Sequence, residues 1–157
     1  MGINKKIQNR TAKIGVIGLG YVGLPLAIEF AQAGFHVFGI DIDENKIDSI
    51  NNGINYIKDI DDIILKKAVE KDKFSATTDF SIVQNLDSIS ICVPTPLNKQ
   101  KDPDISYIIS VMDEIKNYIH RDMTIILEST TYPGSTKELI LPYIKDSGYN
   151  VGKDFFL

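Results

Sequence analysis

The chain reads Lys13-Ile14-Gly15-Val16-Ile17-Gly18-Leu19-Gly20-Tyr21-Val22-Gly23 near its amino end, an apolar run followed by glycines in the spacing G-x-G-x-x-G. The apolar run is typical of a buried strand, and residues 24–34 carry apolar side chains at helical spacing. A second apolar run ends at Asp41, eighteen residues after Gly23. Glycines at this spacing occur by chance, but between a strand and a helix, with a carboxylate at this distance, they indicate a dinucleotide-binding site.

Each feature of this motif has a physical role. Gly18 allows a sharp turn after the strand, Gly20 lets a diphosphate approach the backbone, and Gly23 lets the helix pack against the sheet. The helix N-terminus offers free N–H groups and about half a positive charge. Asp41 can accept hydrogen bonds from both hydroxyls of an adenosine ribose and would repel a 2′-phosphate, so NAD is predicted rather than NADP. The alternative is a glycine-rich turn that binds nothing.

The composition indicates one folded domain of 157 residues, with 43% hydrophobic and 24% charged residues. A net charge of −4 argues against a nucleic-acid partner, and no apolar run is long enough for a membrane span. Residues 1–12 form a polar N-terminal extension without the apolar core of a secretory signal. The single cysteine, Cys92, cannot form an internal disulfide, so we expect a cytoplasmic location.

Short apolar runs alternate with helical patterns along the chain. Six strands are predicted, at residues 13–17, 36–41, 74–77, 88–93, 124–128 and 154–157. The alternation predicts right-handed crossovers and therefore an α/β fold, a doubly wound parallel sheet of the Rossmann type with strand order 3-2-1-4-5-6.

Helical patterns are predicted near residues 24–34, 43–53, 60–68, 78–83 and 105–119. Short polar side chains mark the predicted helix starts: Asp43, either Thr78 or Asp79, and Ser135, which has capping-box spacing to Glu138. Gly34 suits the C-terminal end of the helix at 24–34, and Pro142 should end or kink the helix that starts at Ser135. Asp87 is predicted to be a solvated turn residue.

Two further predicted strands end in unusual sequences. The fourth runs into Cys92-Val93-Pro94-Thr95-Pro96, a stiff loop with few N–H donors, and the fifth into Glu128-Ser129-Thr130-Thr131-Tyr132-Pro133-Gly134. Either loop alone fits ordinary turn chemistry. Because ligands of doubly wound folds bind at the carboxyl ends of the strands, the two together place hydroxyls where a nicotinamide would lie.

These residues resemble the UDP-glucose/GDP-mannose dehydrogenase family along residues 12–157. Three signatures in order carry the resemblance: Gly18-Leu19-Gly20-Tyr21-Val22-Gly23-Leu24-Pro25, Val93-Pro94-Thr95-Pro96 and Glu128-Ser129-Thr130. The runs Pro103-Asp104-Ile105-Ser106-Tyr107 and Thr131-Tyr132-Pro133-Gly134 are most similar to the branch that acts on UDP-N-acetylhexosamines. The glycine loop is shared by many enzymes, whereas the three signatures together are specific.

The resemblance implies an NAD-dependent oxidation of the C6 alcohol of a UDP-sugar to a carboxylate, for surface polysaccharide synthesis. Two NAD molecules are consumed per sugar, and the aldehyde is held as a cysteine adduct between the two steps. The resemblance also implies a homodimer built through a central helix. Which UDP-sugar is used is left open, as are two other functions: another NAD-dependent dehydrogenase of the hydroxyacid type, and a dinucleotide-sensing regulatory module.

The motif and the resemblance together assign cofactor contacts to Gly18, Gly20, Tyr21, Val22, Gly23, Asp41, Lys46, Val93, Pro94, Thr95, Glu128 and Thr130. By resemblance, Asp41 and Lys46 would contact the adenosine ribose, and Thr130 would also act in catalysis by lying near the reacting carbon and positioning water. Lys46 equally fits an exposed helix lysine. Tyr21 either covers the cofactor or packs on the sheet.

The family's nucleophilic cysteine, its lysine and asparagine partners and its catalytic glutamate belong to segments after residue 157. We therefore expect residues 13–157 to be an NAD-binding domain, cut before the central helix and the substrate-binding domain of a longer polypeptide. Cys92 lies in an apolar strand and is predicted to be an inert core thiol. The expectation is a chain that binds NAD but does not complete the oxidation.

No metal site is predicted. The acidic run Asp59, Asp61 and Asp62 lacks the glycine turn and distant glutamate of a calcium loop, and it fits a helix N-terminus better. His36 and His120 have no second ligand at zinc spacing and are predicted to be surface groups.

Overall fold

The computed structural model of the chain describes residues 2–58, 60–99 and 101–157. Five parallel strands form its sheet in the order β3-β2-β1-β4-β5. The strands are β1 Lys13–Ile17, β2 His36–Ile40, β3 Phe74–Thr77, β4 Ser88–Ile91 and β5 Thr124–Leu127. The predicted doubly wound α/β fold is confirmed, because strand order reverses at β1, with β2 on one side and β4 on the other.

The sixth predicted strand is wrong as a strand, although its predicted place beside β5 is correct. Phe156 forms an isolated parallel bridge with Thr124. The N–H of Ile125 donates to the Phe156 carbonyl and the N–H of Phe156 to the Met123 carbonyl, both at 2.9 Å. The preceding residues curl instead of extending, since the Gly152 N–H donates to the Phe155 carbonyl at 2.7 Å, so pairing does not run further.

Helices cover both faces of the sheet. They are α1 Ile3–Gln8, α2 Gly23–Gln32, α3 Glu44–Asn51, α4 Asp62–Glu70, α5 Ser106–Ile115 and α6 Leu141–Asp146. Tight 3₁₀ turns occupy Phe80–Asn85 and Lys116–Tyr118, and a wide π turn occupies Thr136–Ile140. Within the described residues, no helix is both long and apolar enough to cross a membrane.

Local signals predicted three helix ends correctly, and of Thr78 and Asp79 it is Asp79 that forms the cap. The Asp43 carboxylate accepts from the Asn45 N–H at the start of α3, and Asp79 accepts from the Ser81 N–H before the 3₁₀ turn. Gly34 follows α2 with φ of 96°, a left-handed conformation in which glycine is not strained.

The capping box predicted for Ser135 and Glu138 is wrong. The Ser135 hydroxyl pairs with the Thr131 hydroxyl at 2.5 Å, and Glu138 accepts from the Tyr132 hydroxyl at 3.0 Å. Pro142 lies in the first turn of α6, directly after the π turn. The helix does not end at Pro142, since α6 continues to Asp146. Because proline has no N–H, the regular hydrogen-bond pattern changes beside it, at the π turn.

Two hydrophobic cores lie on opposite faces of the sheet. Along β1, Val16 belongs to the core under α2 and α4, and Ile17 belongs to the core under α5 and α6. Successive side chains of a strand point to opposite faces, so one short apolar strand contributes to both cores.

Asp87 is an anchor instead of a solvated turn residue. Its carboxylate pairs with the Lys6 ammonium group of α1 and accepts from the Lys13 N–H at 2.9 Å. The contact with Lys6 spans 81 residues of sequence, so no local pattern could have indicated it. It ties the polar extension to the start of β1.

Candidate dinucleotide-binding site

A cleft of about 410 Å³ opens at the carboxyl edge of the sheet. Its walls are the end of β1, the residues after β2, the loop after β4 and one face of α5. Most of the lining side chains are apolar, among them Ile17, Ile40, Val93 and Val111. This is the edge at which doubly wound folds bind their ligands.

The three motif glycines meet different surroundings. Gly18 has φ of 90°, and a Cβ there would lie 2.8 Å from the Cys92 carbonyl oxygen. A Cβ on Gly23 would lie 1.8 Å from the Gly18 carbonyl oxygen, whereas a Cβ on Gly20 would meet nothing within 4 Å. Gly18 and Gly23 are therefore required by the fold itself, and Gly20 leaves open space beside the backbone.

The start of α2 has unoccupied donors. No hydrogen bond is donated by the backbone N–H groups of Gly20, Tyr21, Val22 and Gly23 within the described part of the chain. The N-cap residue, Val22, has no side chain that could accept from them. Four free N–H groups at the positive end of a helix form a site suited to an anion.

Tyr21 does not pack on the sheet, since its side chain is 81% exposed. The neighbouring Val22 is 60% exposed. Both side chains therefore lie on the open surface next to the free N–H groups, and one of the two alternatives for Tyr21 is excluded.

The carboxylate of Asp41 is buried, and both of its oxygens accept hydrogen bonds from the protein. Its Oδ2 accepts from the Leu19 N–H at 2.8 Å and from the Lys46 Nζ at 2.9 Å, and its Oδ1 accepts from the Asp43 N–H at 3.1 Å. These contacts join the glycine loop, the end of β2 and the start of α3. Lys46 faces the cleft through this ion pair, instead of extending freely into water.

The loops after β4 and β5 are held together by hydroxyl groups. The Ser129 hydroxyl donates to the Val93 carbonyl at 2.8 Å and lies 3.2 Å from the Ile91 carbonyl. The Thr95 hydroxyl donates to the Thr130 carbonyl at 2.6 Å. The structure thus brings together the two segments that the sequence predicted to meet. Glu128 is exposed at the end of β5.

Cys92 has the environment predicted for a core thiol. It is 8% exposed, and burial together with the nearby Glu128 carboxylate raises the pKa of its thiol to about 11. A thiol with this pKa is protonated at neutral pH and is a poor nucleophile.

Tyr56 is a site residue that sequence reasoning missed. Its hydroxyl, on the connection between α3 and α4, donates to the Leu19 carbonyl of the glycine loop at 2.6 Å. Burial, Asp41 and Asp43 raise the pKa of the Tyr56 hydroxyl, which keeps it a donor. The contact joins residues 37 apart, and no spacing rule predicts it.

Among the described residues, no three histidine, cysteine or acidic side chains lie close enough to hold a metal ion. Asp59 of the acidic run lies outside the described residues. Asp61 caps α4 by accepting from the Ile63 N–H at 2.8 Å, and Asp62 lies in the first turn of α4. His36 is exposed, and His120 is partly buried with a ring nitrogen 2.8 Å from the Leu86 carbonyl oxygen.

The glycine loop, the carboxylate after β2 and the reversal of strand order together define a dinucleotide-binding domain of the Rossmann type. The family model for the NAD binding domain of the UDP-glucose/GDP-mannose dehydrogenase family matches residues 12–156. The chain belongs to this family, and NAD is its cofactor. The resemblance carried by the three sequence signatures is confirmed.

Individual relatives agree with this family. The chain is 37% identical to the UDP-N-acetyl-D-glucosamine 6-dehydrogenase of Pseudomonas aeruginosa over 92% of its own length, and 39% identical to the GDP-mannose 6-dehydrogenase of Pseudomonas syringae pv. syringae over 91%. It covers 33% and 34% of those two proteins. The solved UDP-N-acetyl-mannosamine dehydrogenase Cap5O of Staphylococcus aureus superimposes with a TM-score of 0.84 at 33% identity, over 92% of this chain and 35% of Cap5O. The chain thus spans about a third of these relatives.

Proposed function

We propose that this chain is the NAD-binding part of a nucleotide-sugar 6-dehydrogenase that oxidises the C6 alcohol of a UDP-N-acetylhexosamine to the uronate. The observation that carries the proposal is the set of free N–H groups at the start of α2 beside the buried Asp41 carboxylate. Relatives named as UDP-N-acetylglucosamine and UDP-N-acetylmannosamine dehydrogenases support the sugar class. GDP-mannose dehydrogenases are just as similar, so the alternative substrate is GDP-mannose.

In this proposal the diphosphate of NAD lies against the N–H groups of Gly20 and the following residues. The ribose diol then donates to Asp41. An ionised carboxylate offers about four lone-pair sites, and Leu19, Asp43 and Lys46 take up three of them. The ribose takes the remaining site on the Asp41 carboxylate and competes with Lys46 for another. The displaced Lys46 ammonium group can then turn toward the ribose hydroxyls.

The nicotinamide end would lie between the loops after β4 and β5. Val93, Pro94 and Thr95 would line its pocket, and Glu128 would contact NAD. Thr130 would lie beside the sugar C6 and help position the water that releases the carboxylate. The support for this placement is the direct bond between Thr95 and Thr130, which brings both loops to one point.

NAD, when bound, would supply the hydride acceptor for both oxidations of C6, and the aldehyde formed between them would need a nucleophile to hold it. Cys92 is unsuited, because its thiol is buried and protonated at neutral pH. In the whole protein we assign the nucleophile and the sugar-binding residues to a further domain, and we expect the isolated 157-residue chain to bind NAD without producing NADH. We further propose a cytoplasmic homodimer that supplies uronates for surface polysaccharide.

The replacement Asp41→Asn tests the cofactor site. We expect NAD affinity to fall about five- to 150-fold, as for the loss of about 1–3 kcal/mol of charge-assisted hydrogen bonding. NADP affinity should fall less or rise, because the charge that opposes the 2′-phosphate is gone. Calorimetric titration of both coenzymes into the parent chain and the variant measures this, with thermal unfolding as a check on the fold.

The matched control is Asp48→Asn, which removes the same charge from an exposed position of α3. It should leave both affinities within about twofold of the parent, since exposed charges act weakly at a distance. An equal loss for NAD and NADP in Asp41→Asn would show that Asp41 does not face the ribose. A folded parent chain that binds neither coenzyme would refute the proposed function itself.

A further inference from the structure

The peptide groups of Leu19 are fixed from two directions. The Leu19 N–H is held by Asp41 after β2, and the Leu19 carbonyl is held by the Tyr56 hydroxyl on the connection between α3 and α4. The Leu19 side chain is fully buried, and a Cβ on Gly39 would come within 2.8 Å of it. Neither the backbone nor the side chain of Leu19 can rotate without losing these contacts.

The hydrogen bond from Tyr56 has a consequence for the next residue. The Leu19 carbonyl and the Gly20 N–H belong to one planar trans peptide group, so they point in opposite directions. A donor that holds the carbonyl oxygen therefore fixes the direction of the Gly20 N–H. That N–H is the first of the four free donors at the start of α2.

The segment that carries Tyr56 is itself ordered. The Asn55 side chain donates to the carbonyls of Ile57 and Ile60 at 2.6 and 2.7 Å, and it accepts from the Ile57 N–H at 2.8 Å. Ile57 is 3% exposed and anchors this turn in the core. The residues on either side of Tyr56, Asn55 and Ile57, are thus held in place.

We propose that Tyr56 is a positioning residue for the cofactor, which aims the Gly20 N–H at the diphosphate before NAD binds. This inference rests on the proposed binding of the diphosphate by the glycine loop. A donor that already points at its acceptor loses less conformational freedom on binding than a mobile one, so the bond from Tyr56 increases affinity without touching the ligand.

The test compares Tyr56→Phe with Tyr143→Phe. The first replacement removes the hydroxyl that holds Leu19. The matched control removes a hydroxyl on α6 that lies 3.4 Å from the Asp113 carboxylate, away from the cleft. Each chain is titrated with NAD and with ADP-ribose, which contain the diphosphate. Binding of adenosine, which lacks the diphosphate, is followed by NMR. Thermal unfolding is measured in parallel.

We expect Tyr56→Phe to lower the affinity for NAD and for ADP-ribose by about three- to tenfold, the range of one hydrogen bond. The affinity for adenosine should not change. Tyr143→Phe should bind all three as the parent does. Equal NAD affinity in the parent and Tyr56→Phe would overturn the inference, as would an equal loss for adenosine and ADP-ribose. A parent chain that binds no NAD would instead overturn the proposed function on which it depends.

Discussion

The loops after β1 and β4 lie side by side at the same edge of the sheet, but they offer opposite chemistry. The glycine loop after β1 is anchored through Leu19 and leaves four N–H groups free. The loop after β4 contains Pro94 and Pro96, which have no N–H, and two hydrogen bonds tie it to the segment after β5: the Thr95 hydroxyl donates to the Thr130 carbonyl, and the Ser129 hydroxyl donates to the Val93 carbonyl. One loop presents hydrogen-bond donors, and the other presents rings and hydroxyls.

This difference matches two parts of a dinucleotide, the central diphosphate and the nicotinamide. A diphosphate needs several donors near one point, and a helix start supplies them without any charged side chain. A nicotinamide ring needs a flat, mostly apolar wall with a few polar groups, and a wall rich in N–H donors would attract the phosphates instead. We therefore expect substitutions in the glycine loop to weaken the binding of the diphosphate, and substitutions in the loop after β4 to weaken the binding of the nicotinamide.

The largest effect is expected at the glycines. Gly23→Ala places a Cβ 1.8 Å from the Gly18 carbonyl oxygen, so we expect a loss of about 3 kcal/mol or more in the free energy of unfolding. In Gly20→Ala the new methyl group meets no protein atom within 4 Å, and the fold should keep its stability. The methyl group would occupy the path of the diphosphate, so NAD affinity should fall at least about tenfold, an estimate from the loss of a charge-assisted hydrogen bond.

Urea unfolding and calorimetric titration with NAD separate these two glycines. Gly20→Ala serves as the control for Gly23→Ala, because both replacements add one methyl group to the same loop. A Gly20→Ala chain that binds NAD like the parent would break the comparison, since the diphosphate would then not lie against this loop.

Residues in local patterns could be predicted from the sequence, and residues in distant contacts could not. The apolar runs predicted the starts of β1 to β5, and Asp43 and Asp79 were found because a capping carboxylate and the N–H that donates to it lie two residues apart. Ser135 and Glu138 showed an equally good local pattern, but their side chains bind Thr131 and Tyr132. A local rule fails where another nearby partner competes for the same group.

The site divides in the same way. The glycine loop and Asp41 were predictable, because a short crossover from one strand to the next fixes their separation in sequence. Tyr56 was not, because its contact with Leu19 depends on how the connection between α3 and α4 folds back over the edge of the sheet. Prolines and hydroxyls indicated the loops after β4 and β5, but only the structure shows that Ser129 holds the Val93 carbonyl.

A smaller effect is expected from Ser129→Ala, which removes the donor to Val93 and Ile91. We expect a loss of about 1 kcal/mol in the free energy of unfolding, or about 2–4 °C in Tm. NAD affinity should fall less than about fivefold, within the range of one neutral hydrogen bond, and ADP affinity should not change. The contrast arises because ADP lacks the nicotinamide end, which this loop is proposed to hold.

Thermal unfolding and titration with NAD and ADP test this expectation. Ser49→Ala is the matched control, since the Ser49 hydroxyl donates to the Asn45 carbonyl on the outer side of α3. If Ser129→Ala weakened the binding of ADP as much as that of NAD, the two loops would not act on separate parts of the ligand, and the contrast between them would fail.

The smallest effect on binding is expected at Cys92, the residue between the two loops. Its buried thiol has a pKa of about 11, above the value of about 8.5 for a free thiol, so only the unfolded chain ionises between these values. The folded state therefore keeps its full stability below about pH 8.5 and loses part of it as the pH rises toward 11. Cys92→Ala should lose less stability than the parent over this range and should bind NAD within about twofold of the parent, since no proposed contact involves the thiol.

Urea unfolding at pH 8 and pH 10.5 measures the difference between the parent and Cys92→Ala, and labelling by iodoacetamide measures the thiolate directly. Labelling of the folded chain at pH 7.5 should be about a hundredfold slower than that of a free cysteine, because the thiolate is the reactive form. The same alkaline loss in both chains would show that folding does not raise the pKa of the Cys92 thiol. Rapid labelling at pH 7.5 would show that the thiol is accessible and ionised. Cys92, which lies beside Gly18 and Val93 at the cleft, would then be a reactive thiol. Its exclusion as a nucleophile would be wrong.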